Sequence, residues 1–156
     1  MGVQSLDNTD IKILGLLQQN ARLSNKEIAY QTNKSVSAIQ VRIRRLAESG
    51  YIKKFVTLLD RSKLEMELIV FTTIKLSDYS SAALKQFQET AGSFKEVMEC
   101  YHMSGSRDFI LKVVVKNMAA YNVFILEKLS HMPHIGNVES LFVISETKYE
   151  TAFTLD

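Results

Sequence analysis

The chain has 156 residues, 46% apolar, 9% aromatic and 23% charged, with a net charge of +2. This composition belongs to a globular chain able to bury a core, and it excludes disorder as the main theme. No apolar run exceeds four residues, far short of the roughly 20 needed to cross a bilayer, and Met1 to Leu6 lack the basic and apolar regions of a secretory signal, so no membrane partner and cytoplasmic residence are expected.

Three short helices open the chain. Asp7 is placed to cap the first, about Asp7 to Gln19, with Asp10 at its third helical position, Leu6 as a hydrophobic staple on Ile11, and a stripe of Ile11, Leu14 and Leu17. Ser24 and Glu27 form a capping box for a short second helix, stapled from Leu23 to Ile28. Ser35 caps a third whose stripe is Val36, Ile39, Ile43 and Leu46, and Gly50 stands just beyond its end. Helices two and three, joined by Thr32 to Lys34, read as a helix-turn-helix. Tyr51 to Leu59, rich in β-formers around Lys53 and Lys54, suits a strand or small wing.

Residues 60–65 are the expected linker between domains at 1–59 and 66–156. Beyond it strands alternate with helices: strand Glu67 to Leu76, helix Ser80 to Ala91, strands Glu96 to His102 and Phe109 to Lys116, helix Met118 to His131, strand Val138 to Ser145. The fold class is therefore α+β, a winged helix-turn-helix followed by a ferredoxin-like βαββαβ domain. In Phe109 to Lys116 and in Leu141 to Ile144 both alternating faces are at least half apolar, so a second subunit is expected over the sheet face that the helices leave open.

Charge concentrates where the helix-turn-helix lies. Residues 1–60 hold nine Lys/Arg against five Asp/Glu; residues 61–156 hold ten against twelve. Within residues 34–54 six bases face one acid, the footprint of a polyanion partner. On a helical wheel the core stripe of helix three leaves Ser37, Val41, Arg44, Arg45 and Glu48 outward, with Ala38 and Gln40 at the margins. Those types suit double-stranded DNA: Gln40 for adenine, Arg44 for guanine, Ala38 and Val41 for thymine methyls, and Arg42, Arg45, Lys53 and Lys54 for phosphates. Ser35 adds the positive end of the helix.

Leu6-Asp7-x-x-Asp10-x-x-Ile13-Leu14, Ala21 to Ala29, and Ser35 through Arg42-Ile43-Arg44-Arg45-Leu46 to Gly50-Tyr51-Ile52 resemble the Lrp/AsnC (feast/famine) transcriptional regulators. The resemblance continues through Asp60 to Glu65, similar to the family's linker, and through Ser104-Gly105-Ser106-Arg107-Asp108-Phe109, similar to the Gly-x-x-Asp segment of its ligand-sensing (RAM-type) domain. It implies a sequence-specific regulator, dimeric through its sheets and often assembled into octamers, with an amino-acid effector near the loop Met103 to Asp108. The candidate effector residues are His102, Ser104, Gly105, Ser106 and Asp108; Gly105 allows close backbone approach, the serines offer hydroxyls and Asp108 suits an α-ammonium group. The chain departs from the family at Asn33-Lys34, where Gly-Leu is usual, at Arg61 for proline and at Glu65 for glycine.

Two rival readings are a sensing module without DNA binding and an enzyme like the sirohaem decarboxylases, which share a similar scaffold and depend on histidines. The histidines here are His102, His131 and His134, and no acid or Cys stands near the last pair in sequence to complete a metal site. Lone Cys100 makes neither a disulfide nor a zinc knuckle, and no nucleophile elbow, P-loop or dinucleotide fingerprint occurs. No catalytic residue, metal or cofactor is expected.

Overall fold

The computed structural model describes residues 5–155; residues 1–4 and 156, at the outer ends of the two expected domains, lie outside it. The chain divides into two compact units, residues 59–147 and, for the first, residues 1–58 together with 148–156. The second domain was expected to run to residue 156. Residues 148–155 group with the first unit, where the Gln18 side chain holds the backbone of Phe153.

In the first unit α1 (Asn8–Gln19), α2 (Asn25–Thr32) and α3 (Val36–Glu48) each begin on a side-chain cap. Asp7 accepts from Asp10 N and Ser24 from Glu27 N, each in a reciprocal capping box, and Ser35 accepts from Ala38 N. Asn33 closes α2 at φ 53°, a left-handed value that a short polar side chain tolerates. The turn into α3 thus forms without the glycine usual there. Ile13, Ile28, Ala29, Ile39 and Leu46 make the core, with Leu6, Leu14, Leu17, Leu23 and Ile43 packed around it. Ile13, outside the expected stripe of α1, is fully buried, and Val36, expected in the core, is 47% exposed at the first position of α3.

The expected strand at 51–59 does not form. Ile52 N bonds back to Leu46 O and closes α3, and residues 53–60 run without regular structure because no neighbouring strand within the described residues offers them a ladder.

The second unit is a four-stranded antiparallel sheet in the order β2-β3-β1-β4, formed by β1 (Leu68–Leu76), β2 (Val97–His102), β3 (Phe109–Val115) and β4 (Ile135–Phe142). Helices α4 (Ser81–Ser93) and α5 (Met118–Glu127) are the two crossovers, capped by Ser80 and Asn117. Val70, Ile74, Leu76, Phe87, Phe109, Leu111, Val113, Phe124 and Leu129 fill the layer between sheet and helices. The last helix stops at Glu127 rather than His131: the Ser130 hydroxyl takes the Leu126 carbonyl, and a 3-10 turn follows at Leu129–His131. Strand β4 starts and ends three residues earlier than expected. His134 O accepts from Ser77 N and begins the pairing early, and Gly136 lies where a Cβ would stand 3.2 Å from Lys75 O. No helix among the described residues is long and apolar enough to cross a membrane.

Candidate functional site

Helix α3 presents two different faces. Ile39 and Leu46 anchor the inner one, while Ser35, Ser37, Gln40, Val41 and Arg44 are exposed and Ala38 is half-buried. A shallow concavity of about 420 Å³ on the outer side is lined by Ser37, Ala38, Val41, Arg42 and Arg45. Val41 is 64% exposed on that face, where an apolar group offers contact area to another apolar group, such as a methyl, that docking brings against it. Gln40, Arg44, Lys53 and Lys54 are exposed and without an ion-pair partner among the described residues.

Arg42 and Arg45 are placed differently from Arg44. Arg42 Nη1 donates to Asp7 Oδ2 at 2.7 Å and to Asp10 Oδ1 at 2.8 Å, and Arg45 Nη2 donates to Asp10 Oδ2. The N–H of Asp10 and the guanidinium of Arg42 hold the Asp7 carboxyl below the usual carboxylate range, and Asp7, then Asp10, push Arg42 up. Sequence reasoning assigned Asp7 and Asp10 to capping alone. The signal for a second role was present: acids three residues apart on one helix and bases three apart on another each share a face.

In the second unit the loop 103–108 joins β2 to β3. Met103 N donates to Asp108 O at 2.8 Å, and Gly105 takes φ 124°, a value that favours glycine. Ser104, Gly105 and Ser106 are exposed at the tip. Asp108 Oδ2 accepts from Leu76 N at 2.7 Å and Asp108 N donates to Ile74 O, so this residue ties the loop to the end of β1. The His102 ring stacks on Phe109, centroids 4.8 Å apart. Arg107, which sequence reasoning passed over, pairs with Glu139 of β4 at 2.8 Å. Among the described residues no group of three or more His, Cys, Asp or Glu is gathered as a metal site.

The family model described as Lrp/AsnC ligand binding domain matches residues 69–153, and a winged helix-turn-helix DNA-binding model matches residues 6–53. The chain belongs to the Lrp/AsnC family. Among curated Lrp/AsnC relatives it is 37% identical to the transcriptional regulator AzlB of Bacillus subtilis over 156 residues, covering all of this chain and 99% of that protein. A solved AsnC family regulator from Agrobacterium tumefaciens is 35% identical with a TM-score of 0.91, covering 96% of this chain and 97% of the other. The regulator NMB0573 from Neisseria meningitidis, solved as an L-Met complex, is 29% identical with a TM-score of 0.92 over 97% and 98% of the two chains. This chain is accordingly an Lrp/AsnC-type DNA-binding transcriptional regulator with a ligand-binding domain.

Proposed function

We propose that this Lrp/AsnC regulator lays α3 in the major groove of duplex DNA, with Gln40 and Arg44 toward base edges, Ala38 and Val41 toward thymine methyls, and Ser35, Lys53 and Lys54 on phosphates. The observation that carries this reading is the contrast between the two faces of α3: Ile39 and Leu46 fix its rotation, while Gln40, Val41 and Arg44 are left exposed.

The effector we infer is an amino acid bound near His102, Ser104, Gly105, Ser106 and Asp108. Support comes from the L-Met complex of the Neisseria regulator and from the open tip at Gly105, where the Ser104 and Ser106 hydroxyls stand exposed. One Asp108 oxygen is committed to Leu76 N, so recognition of an α-ammonium group falls to the other. We infer a homodimer because the sheet face away from α4 and α5 carries Phe71, Ile110 and Leu141; assembly of such dimers into octamers rests on the family resemblance alone. It acts in the cytoplasm.

Binding of the full chain to a fluorescent fragment of its own upstream DNA, at two salt concentrations and with or without the twenty amino acids, tests the reading. Competitor-resistant binding that changes with the pool is expected. Binding indifferent to every amino acid would overturn the effector, and no binding at low salt would overturn the DNA reading.

A further inference from the structure

The four charged groups where α1 meets α3 form a closed set. Asp10 is 1% exposed, and its carboxylate accepts from Arg42 on one oxygen and from Arg45 and the Asp7 N–H on the other. Asp7 takes a second bond from the same Arg42 nitrogen. Two acids and two bases cancel in charge, although both guanidiniums reach the surface, 27% and 37% exposed, and line the concavity on α3.

A DNA phosphate competing for these arginines meets an uneven contest. Drawing Arg45 away would leave a buried carboxylate short of its partner, and an unpaired buried charge is far more costly than an exposed one. A phosphate at the surface regains a hydrated cation when it gives the arginine up. This balance favours keeping the arginines on Asp10.

Resting on the docking of α3 proposed above, we propose that Asp7 and Asp10 restrain non-specific DNA affinity, holding Arg42 and Arg45 as positioning residues of the recognition helix and removing them from phosphate neutralisation. It assigns the two arginines a different part from the phosphate contacts expected from sequence. Specificity gains in two ways. The rotation of α3 is locked by charged hydrogen bonds as well as by Ile39 and Leu46, and two positive charges that would bind any sequence are cancelled within the protein.

The test is the dependence of binding on salt, which a purely structural role would not move. Full-length protein is titrated onto a duplex of scrambled sequence over a KCl series, and the slope of log affinity against log salt is compared among variants. Lys53→Gln serves as the reference and flattens the slope by about one unit per protomer. Arg42→Gln combined with Asp7→Asn removes one base and one acid together, keeps the set neutral and is expected to leave the slope unchanged. Asp7→Asn keeps the capping oxygen but leaves two bases on the single Asp10 carboxylate; that surplus positive charge is expected to steepen the slope and to raise affinity for the scrambled duplex several-fold. Circular dichroism of each variant establishes that it is folded. A slope of the doubly substituted Arg42→Gln, Asp7→Asn protein flattened as far as that of Lys53→Gln, or an Asp7→Asn protein with the parent's slope and affinity, would overturn the restraint while leaving α3 as the docking helix. A parent protein that binds no duplex at low salt would remove the docking itself and the restraint with it.

Discussion

Gln18 on α1 and Phe153 near the chain's end bind each other twice: Gln18 Nε2 donates to Phe153 O at 3.2 Å, and Phe153 N donates to Gln18 Oε1 at 2.7 Å. A side-chain amide thus does for one residue what a neighbouring strand does in a ladder. Each such bond contributes about 0.5–1.5 kcal/mol net, less where water competes. Gln18→Ala is expected to lower the stability of the first unit by about 1 kcal/mol in urea unfolding and to speed proteolytic trimming of residues 148–156. Gln18→Glu, which keeps only the acceptor, should fall between. Trimming at the parent's rate in both variants would show that the pair does not hold the tail.

Arg44 and Lys53 separate base reading from phosphate binding. Arg44 projects from the exposed face of α3, and Lys53 follows α3 on an irregular segment. Arg44→Ala is expected to narrow the preference for the cognate site over scrambled DNA, by about 1–3 kcal/mol if one bidentate base contact is lost. Lys53→Ala should weaken cognate and scrambled DNA alike. Equal losses on every sequence for both variants would remove Arg44 from base reading.

How far the sequence reveals the molecule depends on how local each signal is. Capping by Asp7, Ser24 and Ser35 involves residues three apart, and each cap forms where the spacing places it. The βαββαβ order follows from periodicity and is likewise present. What escaped the sequence depends on contacts distant along the chain: Arg42 with Asp7 across 35 residues, and Gln18 with Phe153 across 135. Arg42 and Arg44 are alike in sequence, and only the approach of α1 distinguishes a paired base from a free one. The strand expected at Tyr51 to Leu59 is absent for a related reason, since β-formers make a strand only where a partner strand lies alongside.

Acid should loosen the second unit through Glu96 and Glu99. Burial pushes the Glu96 carboxyl up, but Lys128, bonded to both of its oxygens at 2.8 Å, brings it net below the ordinary 4.5. The Tyr101 hydroxyl and then Lys112 hold Glu99 low as well. A carboxylate with a depressed folded pKa contributes stability that is complete above its unfolded value and is lost as pH falls through the folded one. The thermal midpoint of this unit should therefore be insensitive to these groups above about pH 5.5 and should drop below pH 4.5. The doubly substituted Glu96→Gln, Glu99→Gln protein should start lower and lose less on acidification. Parallel acid curves for parent and variant would rule these carboxylates out as the cause.

Glu65 occupies a left-handed position, φ 57°, at the end of the 3-10 turn Arg61–Leu64, and its carboxylate meets Lys116 at 3.3 Å on the exposed surface. For a residue with a Cβ that conformation costs roughly 1–2 kcal/mol, and glycine relieves it at an entropic cost of about 0.4–1 kcal/mol in the unfolded chain. The exposed ion pair weighs little against either. Glu65→Gly is thus expected to stabilise the protein slightly, by at most about 1 kcal/mol, read as a small rise in the urea midpoint at constant m-value. Glu65→Ala, which keeps the Cβ and the strain, should give no rise. A midpoint lowered by glycine would mean that the Lys116 pair outweighs the backbone term.

Tyr121 supplies the one hydroxyl that Thr72 and Ser140 both meet. Its Oη lies 2.8 Å from Thr72 Oγ1 and 2.6 Å from Ser140 Oγ, between α5 and the β1–β4 pair, with Thr72 fully buried. Its ring stands edge-on to Phe142, centroids 5.5 Å apart, so the apolar part of the residue packs whether or not the hydroxyl is present. Tyr121→Phe removes one oxygen and leaves the Thr72 hydroxyl buried without this partner, at an expected cost of about 1–3 kcal/mol. Thr72→Val in the parent should cost a similar amount for the converse reason. Combining the two removes both members, and the double variant should lose clearly less than the sum, because no buried hydroxyl of that pair is then left unmade. Denaturant unfolding of the four proteins measures this coupling; additive losses would mean that water, rather than Tyr121, satisfies Thr72.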